Sequence, residues 1–172
     1  GAAADTVTGI VLTELGSAPS ADVAQVAVYV DANGNSSFDT GVDSVFGVPT
    51  TFTAGNTASF TGSVAMTGGG SDSRVFFVVV SIVASPSGSE SQTLEIAIDT
   101  GDITVTLSDD SVPLTRSLLS DSIRYYVPPV TGGITADSLA IASDSRPPGA
   151  VNVIVGRFYV ANGKASMKQP SR

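Results

Sequence analysis

The stretch RVFFVVVSIVA, residues 74–84, is the longest apolar run in the chain and decides how the rest of the sequence is interpreted. It is too short to cross a bilayer, which takes about 20 apolar residues in a helix. The Gly- and Ser-rich segments TGGGSDS (67–73) and SPSGSES (85–91) flank it and are predicted to be loops. A short apolar run between two loops indicates a strand buried on both faces. We therefore expect residues 74–84 to be the central strand of a sheet.

Other segments with the composition of β-strands surround this run, and turn residues separate them. The pattern predicts an all-β fold, a single antiparallel β-sandwich of the Ig-like or jelly-roll-like kind, formed by residues 1–172. Residues 108–149 do not follow the pattern and are expected to form an irregular insertion, in which TRSLLSDSIRYY (115–126) could be a short helix or an irregular edge. The candidate strands are 6–15, 23–30, 48–53, 57–66, 92–99, 102–107 and 151–160.

The composition excludes several classes of function. A net charge of −8 on 172 residues argues against nucleic acid and against anionic lipid surfaces, and no segment predicts membrane insertion. The chain has no Cys, so disulfides do not stabilise it. It also has no His, which removes the usual general base near neutral pH and the usual ligand of zinc, copper and iron.

The N-terminal residues GAAAD (1–5) are expected to be the new end left by a signal peptidase, because small residues gather at such cleavage sites. A remnant of an expression vector is the alternative. The first interpretation, with the low content of charged residues and the many Thr and Val, predicts a protein that is secreted, either extracellular or at the cell surface.

Charge is distributed unevenly along the chain. Residues 1–73 contain seven acidic residues and no basic one, whereas residues 157–172 contain four basic residues and no acidic one. An acidic front and a basic tail (164–172) would attract each other between copies stacked head to tail. A solvated tail that only helps solubility is the alternative.

The segment VYVDANGNSSFDTGVDSVFG, residues 28–47, concentrates oxygen-bearing side chains at nearly alternate positions. Hard cations such as calcium bind oxygen, and a loop that wraps an ion points alternate side chains inward. With Asp31 counted as position 1, Ser37 could add its carbonyl at position 7. The predicted calcium ligands are Asp31, Asn33, Asn35, Asp39 and Asp43.

This spacing is close to the calcium loop of helix–loop–helix proteins but departs from it at two positions. Ser36 stands where the sharp-turn Gly is expected, and Val42 stands where the bidentate Glu should be, so that Asp43 would close the site. Binding in the extracellular range of roughly 10⁻⁴ to 10⁻³ M would follow from a flexible, partly neutral loop. The alternative is a hairpin rich in Asn and Asp turns without metal. Asn35-Ser36-Ser37 is also a glycosylation sequon, and a glycan there would compete with metal binding.

Two Asp-Thr-Gly strings, in FDTG (38–41) and AIDTGD (97–102), resemble the signature of aspartic proteases. That resemblance would make Asp39 and Asp99 a dyad that shares one proton. The small residue that usually follows the motif is replaced by Val42 in one copy and by Asp102 in the other. Triads built on His or Cys are excluded in their usual form. We therefore expect a protein that is not an enzyme.

Three segments together resemble the Ig-like sandwich modules that are repeated in secreted bacterial and archaeal surface proteins. They are VAVYVDANGNSSFDTGVDSVFG (26–47), SFTGSVAMTGGGSDSRVFFVVVSIVA (59–84) and VNVIVGRFYVANG (151–163). In the tandem modules, a strand like the third segment leads into the next module. The resemblance implies that residues 151–163 could be exchanged between copies as a donor strand, with residues 6–15 as the other candidate.

Strand exchange of this kind links copies of one chain head to tail and produces an open polymer. The sequence thus predicts a calcium-stabilised subunit of an extracellular filament or tube, which resembles in architecture camelysin-like biofilm fibres or archaeal cannulae. The alternative is a monomeric calcium-binding adhesion or carbohydrate-binding module. That module would need exposed aromatic residues, for which Tyr125 and Tyr126 are the candidates.

Overall fold

The computed structural model describes residues 4–67, 73–87, 92–106, 118–120, 123–125, 145–146, 153–161 and 164–167. These residues form thirteen strands and a single 3-10 turn, Ser20–Asp22. No helix in this described part of the chain is long and apolar enough to cross a membrane. The strands are β1 (Asp5–Glu14), β2 (Val23–Val30), β3 (Ser44–Thr50), β4 (Thr57–Met66), β5 (Ser73–Ile82), β6 (Thr93–Leu94), β7 (Ile96–Ile98), β8 (Ile103–Val105), β9 (Leu118–Leu119), β10 (Ile123–Tyr125), β11 (Ser145–Arg146), β12 (Val153–Ala161) and β13 (Lys164–Met167).

Two five-stranded antiparallel sheets make up most of the fold. One has the order β4-β1-β7-β9, with β8 also paired to β1, and the other has the order β13-β12-β5-β2-β3. A small third sheet joins β11, β10 and β6. The all-β, sandwich-like fold predicted from the sequence is therefore confirmed. Within 115–126 the described residues are β9, Ser120 and β10, so the short-helix alternative does not apply to them.

The apolar run at 74–84 is an interior strand, as its composition predicts. It forms most of β5, which pairs antiparallel with β2 along one edge and with β12 along the other. Val75, Phe77 and Val79 point to one face of β5, and Phe76, Val78 and Val80 point to the opposite face, because side chains alternate along a strand. All six are buried, so neither face of β5 is in contact with water over residues 75–80.

The main core lies between the two large sheets. It contains apolar side chains of β1, β2, β3, β4, β5, β7 and β8, together with Leu94 of β6. A separate cluster on the outer face of β5 contains Val75, Phe77 and Val79, with Tyr29 and Phe38 packed against it. The outer face of β5 is thus apolar as well.

At one end of the sandwich the two sheets meet through glycines. Gly47 of β3 has φ +76°, and a Cβ added to it would lie 2.7 Å from the carbonyl oxygen of Thr61. A Cβ on Gly62 of β4 would lie 2.8 Å from the ring of Phe46. Both positions require glycine, because a side chain would separate β3 from β4.

The carboxyl group of Glu14 is the most deeply buried of those that lack a full set of hydrogen-bond partners among the described residues. Glu14, the last residue of β1, is 2% exposed, and its Oε2 atom has no hydrogen-bond partner among the described residues. Its Oε1 atom accepts hydrogen bonds from the backbone N–H groups of Gly16 (2.7 Å) and Glu95 (3.5 Å). Burial raises the pKa of Glu14 above its ordinary value of 4.5, with a smaller contribution in the same direction from the negative charge of Glu95.

The glycine contact gives a first prediction. We expect Gly62→Ala to lower the free energy of unfolding by about 1–3 kcal/mol, because the new methyl group would overlap the buried ring of Phe46. Gly55→Ala is the matched control, because its nearest neighbour, the Thr53 Oγ1 atom, would be 3.7 Å from the new Cβ. Urea denaturation measures both. Equal stability of the two variants would contradict the close contact between β3 and β4.

Glu14 gives a second prediction, on pH dependence. Because its pKa is raised in the folded state, its ionisation destabilises the fold progressively as the pH rises above about 4.5. Glu14→Gln stays neutral, so its stability relative to the wild type should increase between pH 4.5 and pH 8. Glu95→Gln is the control and should keep most of the wild-type slope, because burial is the larger cause. Urea denaturation at several pH values tests this, and parallel curves for Glu14→Gln and wild type would refute it.

Candidate metal centre

Residues 31–43 form the loop that joins β2 to the edge strand β3. The two strands pair antiparallel up to Val30 and Ser44, and the loop leaves the sheet between them. Its first residue is still attached to the sheet, because the Asp31 N–H donates to the carbonyl oxygen of Val75 in β5 (2.9 Å). The loop is therefore held by the neighbouring strand as well as by its own hairpin.

Asp31 organises the first half of the loop. Its Oδ1 atom accepts a hydrogen bond from the N–H of Gly34 (2.7 Å), and its Oδ2 atom accepts one from the N–H of Ser36 (2.7 Å). The side chain is 8% exposed, so these bonds replace water that burial removes. The backbone wraps around this carboxylate, which is the position that the sequence spacing assigns to the first calcium ligand.

Ser36 departs from the calcium-loop pattern in its residue type, but its backbone has the conformation expected at that position. Ser36 has φ +60°, the left-handed conformation that usually requires Gly. Gly34 (φ +72°) and Gly41 (φ +86°) supply the other left-handed turns of the loop. The sharp turn expected at position 6 of a calcium loop is thus present, although the residue there is not Gly.

Asn33, Asn35 and Asp39 form a hydrogen-bonded group at the outer part of the loop. The side-chain NH₂ groups of Asn33 (2.9 Å) and Asn35 (2.6 Å) both donate to the Oδ2 atom of Asp39. The Oδ1 atom of each Asn accepts the N–H two residues further on. The two amides stabilise the charged carboxylate and so lower the pKa of Asp39 below its ordinary value of 3.8, Asn33 contributing most.

Asp43 closes the loop. Its Oδ1 atom accepts the N–H of Ala32 (3.1 Å), and its Oδ2 atom accepts the N–H of Asp39 (2.8 Å). The side chain is buried, and its own N–H donates to the Asp39 carbonyl. Asp43 therefore joins the start of the loop to its end, whereas Val42, at the expected glutamate position, is exposed.

Phe38 attaches the loop to the outer face of the sheet, a role that the sequence analysis missed. Its ring centroid lies 5.0 Å from that of Tyr29 in β2 and 5.8 Å from that of Phe77 in β5, both in edge-to-face geometry. Edge-to-face aromatic pairs stabilise a fold by more than the burial of their apolar area alone. A single aromatic residue inside an otherwise polar loop is the signal that could have revealed this contact.

The other predicted residues lie elsewhere. Asp99 and Asp102 form a turn between β7 and β8, in which the Asp99 N–H donates to the Asp102 Oδ2 atom (2.8 Å). Asp39 and Asp99 therefore belong to loops of different sheets. Among the described residues, no three His, Cys, Asp or Glu side chains come together as a metal-holding group. Tyr126 and the side chain of Tyr125 lie outside the described part of the chain.

No protein-family model, no curated protein and no solved structure matches this chain. The likeness to secreted Ig-like modules therefore stays a prediction from sequence motifs.

The amide pair above Asp39 gives a third prediction. Asn33→Ala should raise the pKa of Asp39 toward 3.8, because it removes the larger of the two hydrogen-bond contributions. Ser37→Ala is the control and should leave the pKa unchanged, since only the backbone N–H of Ser37 is used in this group. Titration of the carboxyl carbons by NMR in metal-free buffer measures both. An unaltered Asp39 pKa in the Asn33 variant would show that the amides point elsewhere in solution.

Proposed function

We propose that this chain is a structural subunit of an extracellular filament or tube. Copies of the chain polymerise head to tail by β-strand donation, and calcium bound in the 31–43 loop stabilises the subunit. The observation that supports the proposal is the loop itself, which contains the five residues predicted as ligands and is attached to β5 by Asp31 and Phe38. The partner is a second copy of the same chain, and the proposal includes no catalytic step.

The donor set of the loop fits calcium. Three carboxylates and two amides provide oxygen ligands, and no Lys or Arg lies between residues 31 and 43. Each carboxylate oxygen that accepts a backbone N–H retains a second lone pair for a cation. Rotation of the Asn33 and Asn35 amides about the last side-chain bond would turn both amide oxygens toward Asp39, where their NH₂ groups now converge.

The arrangement of β5 favours assembly by strand donation. β5 is apolar on both faces, and the edge that faces away from β2 needs a strand beside it, because an open edge leaves backbone groups unpaired. The sequence offers residues 151–163 or 6–15 for exchange between copies. A chain that fills this position in its neighbour leaves its own position open, so the contact continues into a polymer.

A monomeric adhesion or carbohydrate-binding module is the second candidate. The observation that favours it is the pairing of β12 with β5 of the same chain, which completes the sheet without a partner. In that module, calcium bound in the loop would stabilise the conformation of the ligand-binding surface. Electron microscopy separates the two candidates, since only the first forms filaments.

Calcium binding is the fourth prediction. Asp39→Ala should weaken calcium binding at least about tenfold, because it removes a carboxylate on which two other ligands converge. Asp102→Ala is the control, because it removes an acidic residue that caps a turn of the other sheet. Isothermal calorimetry with calcium alone measures the affinity. Equal affinity of the two variants would refute the assignment of the loop.

Electron microscopy tests whether the protein polymerises. Purified wild-type protein is imaged by electron microscopy with millimolar calcium and again with a chelator. Filaments with calcium only would support both parts of the proposal, and filaments under both conditions would support the polymer while limiting calcium to a local structural role. Single particles under both conditions would refute the polymer in favour of the monomeric module.

A further inference from the structure

We propose that β12, together with β13, is the donated unit and that the edge of β5 facing away from β2 accepts it in a neighbouring copy. This inference rests on the proposed self-assembly and decides between the two candidate donor segments. It also identifies the part of the subunit surface at which copies meet.

The connection that follows β1 argues against donation of residues 6–15. Only residues 15–22 separate β1 from β2, and this short link is bonded to the body of the sandwich. The Leu15 N–H donates to the Glu95 carbonyl (2.8 Å), and the Ala18 N–H donates to the Thr93 carbonyl (2.9 Å). At the far end of the link, Asp22 is buried and its carboxylate accepts both the N–H and the hydroxyl of Ser87.

The position of β1 in its sheet argues the same way. β1 pairs with β4 along one edge and with β7 and β8 along the other. Val7, Ile10 and Leu12 contribute fully buried side chains to the main core. Donation of β1 would divide this sheet in the middle, so β1 belongs to the body that accepts a strand.

β12 has the opposite character. It pairs with β5 from Val153 opposite Val80 to Ala161 opposite Ser73, and its other edge pairs only with β13, the next strand in the chain. Among the described residues, the β12–β13 hairpin is therefore joined to the rest of the sandwich mainly through the edge of β5, with a smaller contact between β13 and β9.

The opposite edge of the same sheet, formed by β3, is unsuited to accept a strand. Residues Gly47–Pro49 of β3 bulge out opposite Ala27 of β2. Pro49 has no N–H to offer, and Gly47 lies against the Thr61 carbonyl of β4. Bulges and prolines of this kind protect edges from pairing with another chain. β5, by contrast, contains neither Pro nor Gly, so the edge that β12 covers lacks these protections against pairing with another chain.

Cysteine cross-linking tests the inference, because the natural chain has no Cys. Ser73 and Ala161 are register partners across β5 and β12, at a separation that suits a disulfide. A chain carrying Ser73→Cys is mixed in denaturant with a chain carrying Ala161→Cys, and the two are refolded together with calcium and oxidised. Ser63→Cys, at an exposed position of β4, replaces Ser73→Cys as the control for random collision. A chain carrying both Ser73→Cys and Ala161→Cys is examined in parallel.

The proposal predicts a mixed disulfide dimer at about one junction in four of a randomly mixed polymer, and only background with the Ser63 variant. Filaments without the mixed dimer, with an intrachain disulfide in the double variant, would overturn this inference and leave the polymer to another contact. Intrachain disulfides without any filaments would overturn the inference and the proposed self-assembly together.

Discussion

Both edges and both faces of β5 are engaged, and the rest of the molecule is arranged around that constraint. The two edges pair with β2 and β12, the inner face packs into the main core, and the outer face carries the cluster around Phe77. A strand in this position cannot lose either neighbour without exposing unpaired backbone and apolar side chains at the same time. Whichever copy supplies β12, the position beside β5 has to be filled.

The polar loop depends on the same strand. Asp31 continues the β2–β5 ladder by one hydrogen bond, and Phe38 covers part of the outer face of β5. Within the loop, Asp31 and Asp43 fix the backbone through their carboxylates, while the side-chain amides of Asn33 and Asn35 donate to Asp39. The loop is ordered by the residues that are proposed to bind the ion, so binding would require little additional ordering of the backbone.

Local sequence patterns predict those parts of the fold that depend on local composition. The bounds of β2 and β4 agree with the predicted segments 23–30 and 57–66, because alternation and flanking turn residues define both. The single strand expected at 92–99 is instead divided at Glu95 into β6 and β7, which join different sheets. The bonds made by the Glu95 backbone to Leu15 and Glu14 separate the two, and they depend on residues about 80 positions away in the chain. The contact of Gly47 with β4 and the burial of Glu14 also depend on residues distant in the sequence, so no local sequence pattern predicts them. The spacing of Asp31, Asn33 and Asn35, by contrast, is a local pattern and predicts the loop.

The hydrogen bond from Gly34 to Asp31 also bears on how long the loop stays chemically intact. Asn-Gly sequences such as Asn33-Gly34 are the ones most prone to deamidation, in which the glycine nitrogen attacks the side-chain amide of the preceding Asn. Here the glycine N–H is held by Asp31 at 2.7 Å, and the amide of Asn33 is held by Asp39 at 2.9 Å. Attack requires the Gly34 N–H and the Asn33 amide to break these hydrogen bonds, so we expect deamidation to be slower in the folded loop than in the unfolded chain.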